Sequence, residues 1–291
     1  MSKFVVTIDS SCDGNLEELN NKGVEVICYH YSDGITDFLD NMNHERGKKF
    51  FDNMRNGVKY TTSQLINYSY YQFFKKVSAT NKNIIHISLT EGLSSSINQA
   101  RMAADLIHQE DNSINIEIID SLIACNGELV VLDKALKLQK ENELDVKTAA
   151  EELRDFAPTV NTHYTTSTLA YFVRGGRLSK VAGLIGSVLK INPVLVCAPN
   201  GQLKVEKQLR GKKAAYHYIV NEAIENAQNP ENQTLYICHA DNIEGANEIK
   251  EQLMKEVGFK EAKIYQIGPI IGSHAGPGLI AVFYVGKRRV K

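Results

Sequence analysis

The chain carries almost no net charge: 33 lysines and arginines stand against 34 aspartates and glutamates in 291 residues, leaving −1 at pH 7. Such a balance creates no broad field toward nucleic acid or an anionic membrane, which disfavours a nucleic-acid role. The basic run Lys287-Arg288-Arg289 reads as a solvated tail. No apolar run approaches the roughly 20 residues of a membrane helix, and Met1-Ser2-Lys3 leads directly into an apolar strand without a signal-peptide core. A cytoplasmic protein is expected, with no membrane span and at most transient membrane contact.

The five cysteines (Cys12, Cys28, Cys125, Cys197, Cys238) are odd in number, scattered and free of any C-x-x-C pair, so they read as buried thiols of a reducing compartment. Eight scattered histidines with no H-E-x-x-H and no Cys/His cluster give a metal site no support. A G-x-x-x-x-G-K-[ST] loop is missing, and Gly92-Leu93-Ser94-Ser95-Ser96 lacks the second glycine of a nucleophile elbow. Gly276-Pro277-Gly278-Leu279-Ile280-Ala281 matches a dinucleotide fingerprint in letters only, because it leaves no room for a βαβ unit. No cofactor is expected, and an autonomous kinase or lipase is disfavoured.

What is present is 43% hydrophobic and patterned. Apolar runs at Phe4 to Ile8, Val24 to Tyr31, Ile84 to Leu89 and Ile114 to Ile119 predict strands. Helical spacing at Ser96 to Gln109, Gly127 to Gln139 and Lys147 to Phe156 falls among them. This alternation predicts an N-terminal, mainly parallel α/β domain over residues 1–158. Beyond it, strands at His163 to Leu169, Thr234 to Cys238, Ala262 to Ile267 and Phe283 to Val285 join a hairpin about Pro199-Asn200-Gly201, with helices at 212–225 and 244–257. They predict a mixed α/β domain over residues 159–291.

Three places could carry chemistry. Ile267 to Gly278 brackets His274 with four glycines and two prolines, which predicts a rigid loop presenting that imidazole. Ser94 follows a strand and precedes a helix, where it either caps the helix or meets an anion at its N-terminus. Thr61-Thr62-Ser63 repeats the arrangement, with Ser63 as a candidate cap. Asp9-Ser10-Ser11 ends the first strand; capping is favoured there over a phosphatase-type nucleophile, because the second aspartate of such enzymes is missing.

These segments resemble, in order along nearly the whole chain, the DegV family of bacterial proteins. The matching pieces are Asp9-Ser10, Thr62-Ser63-Gln64, Gly92-Leu93-Ser94, Gly175-Gly176-Arg177-Leu178-Ser179, Asn192-Pro193-Val194-Leu195 and Gly272 to Gly278. The resemblance implies two α/β domains with a long-chain fatty acid between them, and for some members a role as the lipid-binding subunit of an ATP-dependent fatty acid kinase. By that resemblance Thr62 and Ser94 hydrogen-bond the carboxylate, His274 lies beside it and Arg210 engages the kinase. Departures from the family pattern are Leu65-Ile66 after Gln64, Thr90-Glu91 before Gly92 and Ser95 after Ser94. Glu91 stands out, because an acid near a bound carboxylate repels it. Val181 to Ile191, with Gly183 and Gly186, and Ile264 to Ile271 could line a lipid tunnel or serve as core. A competing reading is a small-molecule hydrolase or phosphatase using Asp9 or Ser94 with His274 as acid and base.

Overall fold

The computed structural model describes residues 3–42, 47–178 and 191–290. In chain order its elements begin β1 (Val5–Asp9), α1 (Leu16–Asn21), β2 (Glu25–Ile27), β3 (His30–Ser32), β4 (Asp37–Leu39), α2 (Gly47–Arg55) and β5 (Thr61–Ser63). Next come α3 (Asn67–Ser78), β6 (Asn83–Ser88), α4 (Ser96–Glu110), β7 (Asn115–Asp120), α5 (Asn126–Glu141) and α6 (Val146–Phe156). The remainder runs β8 (Val160–Thr165), α7 (Ala170–Arg174), β9 (Ile191–Cys197), β10 (Leu203–Arg210), α8 (Lys212–Asn226), β11 (Thr234–His239), α9 (Ile243–Glu256), β12 (Glu261–Gln266), α10 (Pro269–Ala275) and β13 (Ile280–Val285).

The apolar runs β1 and β6 form the middle of a four-stranded sheet ordered β2-β1-β6-β7, every pair parallel. Their residues are buried almost without interruption, as strands covered on both faces must be. One face packs on α3 and α4 through Tyr70, Phe74, Ile97, Ala103 and Ile107. A six-stranded mixed sheet, ordered β10-β9-β8-β13-β11-β12, is built from the second half. Between the two sheets lies α5, whose Leu129, Val130, Val131 and Leu132 are all buried, the pattern of a helix enclosed on several sides. The outer face of the mixed sheet is covered by α8 and α9 through Tyr216, Ile219, Ile249 and Leu253. The α/β class and the parallel and mixed characters of the two halves agree with the sequence reading. Among the described residues no helix is long and apolar enough to cross a membrane.

Four expectations need correction. The single strand predicted from Val24 to Tyr31 is broken: β2 stays in the parallel sheet, whereas β3 pairs with β4 and β5 in a separate three-stranded sheet. The break lies at Tyr29, whose N–H donates to Ser10 Oγ (3.1 Å) and whose carbonyl accepts from Asp40 N (2.8 Å). Ser63 is no helix cap, because Thr61–Ser63 is strand β5 and α3 begins later, with Asn67 N bonded to Gln99 Oε1 (3.1 Å). Arg289 is not a solvated tail. Its guanidinium donates to the carbonyls of Leu122, Cys197, Ala198, Ala157 and Pro158, a use of its several N–H groups that ties the two halves together.

The fourth correction concerns the segment around His274, which is a two-turn helix and not a loop. Pro269 occupies the first turn, where a missing N–H costs nothing, and Gly276 at φ 75° ends it. Gly272, inside the helix, lets it approach α2: a Cβ there would lie 2.9 Å from Phe50 and 3.0 Å from Phe51. The tunnel residues expected at 181–190, Gly183 and Gly186 among them, and Ser179 lie outside the described residues.

Gly272→Val should therefore lower stability by about 1–3 kcal/mol through overpacking, read as a lower urea midpoint at unchanged m-value.

Candidate functional site

Helix α10 carries His274 in its last turn to the three-stranded sheet, where Thr62 projects from β5. Thr62 Oγ1 and His274 Nε2 are 2.7 Å apart. The other ring nitrogen, Nδ1, has no partner among the described residues and faces Gly175 so closely that a Cβ there would come within 2.3 Å of it. Burial and the charges of Arg177 and Arg174 lower the His274 pKa to about 4, so the imidazole is neutral at pH 7. A buried bare nitrogen is more tolerable than a buried unpaired N–H. The arrangement therefore favours the tautomer in which Nε2–H donates to Thr62, which leaves the Thr62 hydroxyl proton free for a ligand.

Arg177 follows the glycine pair and is turned by two backbone carbonyls: its Nη1 donates to Gly175 O (2.6 Å) and its Nε to Leu93 O (3.2 Å). Its half-buried guanidinium enters no ion pair among the described residues, and desolvation pulls its pKa down from the ordinary value. Ser94 comes next to Leu93. Its hydroxyl accepts from Ser96 N (3.3 Å) and bonds Ser96 Oγ (3.2 Å), so it serves the start of α4 while still facing the cavity. Gly92, before it, packs on the tip of the β9–β10 hairpin, where a Cβ would lie 2.5 Å from the Gly201 carbonyl carbon.

Thr62, Ser94, Arg177 and His274 all line one cavity of about 380 Å³, within the ordinary range for small-molecule sites. Much of the remaining wall is apolar, drawn from both halves: Leu89 and Leu93 from the first, Phe172, Ile267, Ile271 and Leu279 from the second. Ile267 to Ile271 is thus lining on one face and core on the other, since Ile267 and Ile270 also belong to buried clusters. Cys125 is in the wall as well, its Sγ 3.1 Å from that of Cys238 and 2.9 Å from Asp13 Oδ2. All five cysteines are free.

Two other candidates fall elsewhere. Arg210 is exposed at the end of β10 and does not line the cavity. Asp9 is fully buried outside the wall, where its oxygens accept from Ser11 N, Tyr29 OH, Ser88 Oγ and Leu89 N; desolvation holds its carboxyl above the usual range. It caps and braces the strand ends, as the sequence favoured. Glu91 lines the rim but is drawn aside to Arg101 at 2.7 Å and Asn98 at 3.2 Å, which lowers its pKa. Arg177 is the site residue to which sequence reasoning gave no role; the signal was its place after two glycines. Among the described residues no cluster of three His, Cys, Asp or Glu is arranged to hold a metal ion.

Fold and site together define an α/β protein of two principal sheets that meet around a cavity lined by apolar side chains and by the polar groups of Thr62, Ser94, Arg177 and His274. The chain belongs to the DegV family: a family model described as an uncharacterised protein of that family matches residues 3–287. A DegV domain-containing protein of Clostridium perfringens is 28% identical over 292 residues, covering 98% of each chain. Among solved structures, a Thermus thermophilus DegV family protein described for fatty acid binding superposes with a TM-score of 0.88 at 20% identity, covering 98% of this chain and 100% of that one. Bacillus subtilis DegV, described as a fatty acid binding protein, gives 0.84 at 23% identity, covering 99% and 100%.

The depressed His274 pKa has a definite sign. The unfolded chain takes up a proton near pH 6.5 that the folded one refuses until about pH 4, so this residue removes stability as pH falls through that window. In urea titrations at several pH values, the stability difference between His274→Gln and the parent should shift in favour of the variant as pH falls, by up to about 1.4 kcal/mol per pH unit between the two limits. A pH-independent difference would mean that the ring is not held neutral.

Proposed function

We propose that this chain binds one long-chain fatty acid with its acyl chain in the apolar cavity and its carboxylate at Thr62, Ser94 and Arg177, beside neutral His274. The observation that carries the reading is the Thr62–His274 pair at 2.7 Å in the wall of a cavity that Ser94, Arg177 and many apolar side chains also line. Burying roughly fourteen methylenes at about 0.8 kcal/mol each contributes on the order of 11 kcal/mol before association costs. Hydrogen bonds to a charged carboxylate add about 1.5–3 kcal/mol each before its desolvation is counted. The acyl chain therefore decides affinity, and the polar groups decide which terminus is presented.

Similarity to DegV proteins described as fatty acid binding supports this assignment. We extend it to a cytoplasmic two-domain protein, residues 1–158 and 159–291, that offers the carboxyl group to a separate ATP-dependent kinase subunit for conversion to acyl phosphate, with Arg210 on the docking surface. Glu91 does not oppose the ligand while Arg101 holds its charge.

Protein purified from a bacterial host and denatured should release a long-chain fatty acid in near one-to-one amount, identified by mass spectrometry. A lipid-free preparation that also fails to take up oleate or palmitate would overturn the proposal. Thr62→Ala with Ser94→Ala should weaken uptake by at least about tenfold. Arg101→Ala should weaken it by up to about fivefold, and Glu91→Gln in the same chain should restore it. Acyl phosphate formation with a kinase subunit should fall in Arg210→Ala while lipid content stays constant.

A further inference from the structure

Side chains alternate along β8, and the alternation separates two places: Tyr164 faces the apolar cavity, whereas the next residue, Thr165, faces a second, open pocket of about 430 Å³. Two long helices begin at this pocket. Gly211, at the N-cap of α8, and Asn242, at the N-cap of α9, both line it. Asn242 caps its own helix through Gly245 N, but α8 has no side-chain cap, so its first-turn N–H groups are left for water or a ligand.

The wall supplies further donors. Thr165, Thr166 and Tyr216 are 3%, 1% and 2% exposed, and all three hydroxyl-bearing residues line the pocket. Thr166 Oγ1 accepts from Thr168 N (3.4 Å), but Thr165 Oγ1 is buried with no partner among the described residues. Native proteins rarely bury a hydroxyl in this way unless something else satisfies it. Lys212 also lines the pocket, flanked in sequence by Arg210 and Lys213. Glu248 engages Lys212 at 3.0 Å, and among the described residues neither Arg210 nor Lys213 is in an ion pair and no aspartate or glutamate is in the wall. A Cβ on Gly278, at φ 90°, would meet nothing within 4 Å, so the backbone there is open to close approach.

Unused helix N–H groups, a buried unpartnered hydroxyl and a lysine are the chemistry that holds a phosphoryl group, which would compete with Glu248 for Lys212. We propose that the pocket bounded by Thr165, Lys212, Tyr216 and Asn242 is a second ligand site, on the opposite face of the mixed sheet from the cavity, which takes a phosphoryl group as free phosphate or as a small phosphomonoester. The site does not require that the cavity hold a fatty acid.

The test is calorimetric titration of the full-length protein with inorganic phosphate and, separately, with glycerol phosphate at constant ionic strength. Saturable binding of either probe is expected. Tighter binding of the ester would identify an esterified ligand, and equal or weaker binding the free ion. Thr165→Val and Lys212→Met should each weaken it by about tenfold or more, and Thr165→Ser should keep it. Thr165→Val replaces an unpartnered hydroxyl by a methyl group, so the variant should fold with an unchanged or higher melting temperature and unchanged lipid content. Phosphate should raise the melting temperature of the parent and not of that variant. Absence of saturable binding of both probes, or binding unaltered in Thr165→Val, would overturn the proposal.

Discussion

The polar part of the cavity wall depends on close backbone approaches around one short helix. Helix α10 must lie near enough to α2 and α7 for His274 to reach Thr62, more than two hundred positions earlier in the chain. Gly272 makes the first approach possible against the rings of Phe50 and Phe51, and Gly175 makes the second against the imidazole itself. Gly276 then ends the helix with a positive φ and sits against the Tyr171 ring, where a side chain would collide. At the other end, Gly268 N donates to Asp13 Oδ1 (2.8 Å), a carboxyl wholly buried and held above its usual pKa by desolvation. The helix is thus fixed at both ends and on two sides, which is the rigidity a pre-organised polar site needs.

That seating also explains what the amino-acid sequence reveals and what it conceals. Buried strands such as Asn83–Ser88 and amphipathic helices such as Ser96–Glu110 are written in local periodicity and could be read within a few residues of their bounds. The segment around His274 could not. Glycine and proline have the same local signature in a loop as in a short helix whose glycines serve packing, and only the Phe50 and Phe51 rings, far away in sequence, decide between them. The small sheet that carries Thr62 was hidden for a related reason. Its strands span three residues each, and Tyr29 leaves the parallel ladder through a hydrogen bond to Ser10 that no periodicity encodes. Ser94 and His274 were still legible as candidates from residue type and neighbouring glycines, and Thr62 through the family resemblance, whereas the orientation of Arg177 by the Leu93 carbonyl is written in no local pattern.

Charge at the site is arranged by geometry more than by composition. Arg174 and Arg177 together help keep His274 neutral, so the imidazole orients the Thr62 hydroxyl without contributing a charge of its own. Glu91, which looked unfavourable in the sequence, is taken up by Arg101 and Asn98 on α4. The buried acids sit directly behind the wall: Ser11 donates to Glu128 Oε1 (2.9 Å) and also bonds Asp9, joining β1 to α5, while Asp9 accepts from the wall residues Tyr29 and Leu89. Carboxyl groups are abundant in this chain, but those nearest the cavity are either paired at its rim or buried behind it.

One strand, β8, carries this arrangement across the sheet. Pairing with β13 sets Thr165 opposite Ile280 and Tyr164 opposite Ala281, so adjacent residues on each strand belong to different faces. Leu279 closes the apolar cavity while Gly278 and Ile280 border the hydroxyl-lined pocket. A shift of register by one residue would exchange the two linings, placing Thr165 against apolar wall and Tyr164 among polar groups. The hydrogen-bonded neighbours of β8 and β13 on both sides oppose such a slip, and Arg289 secures the same region by gathering carbonyls from both halves of the chain. Two chemically different pockets can therefore share a single pair of strands, because the pleat keeps their side chains apart while the ladder keeps their positions fixed.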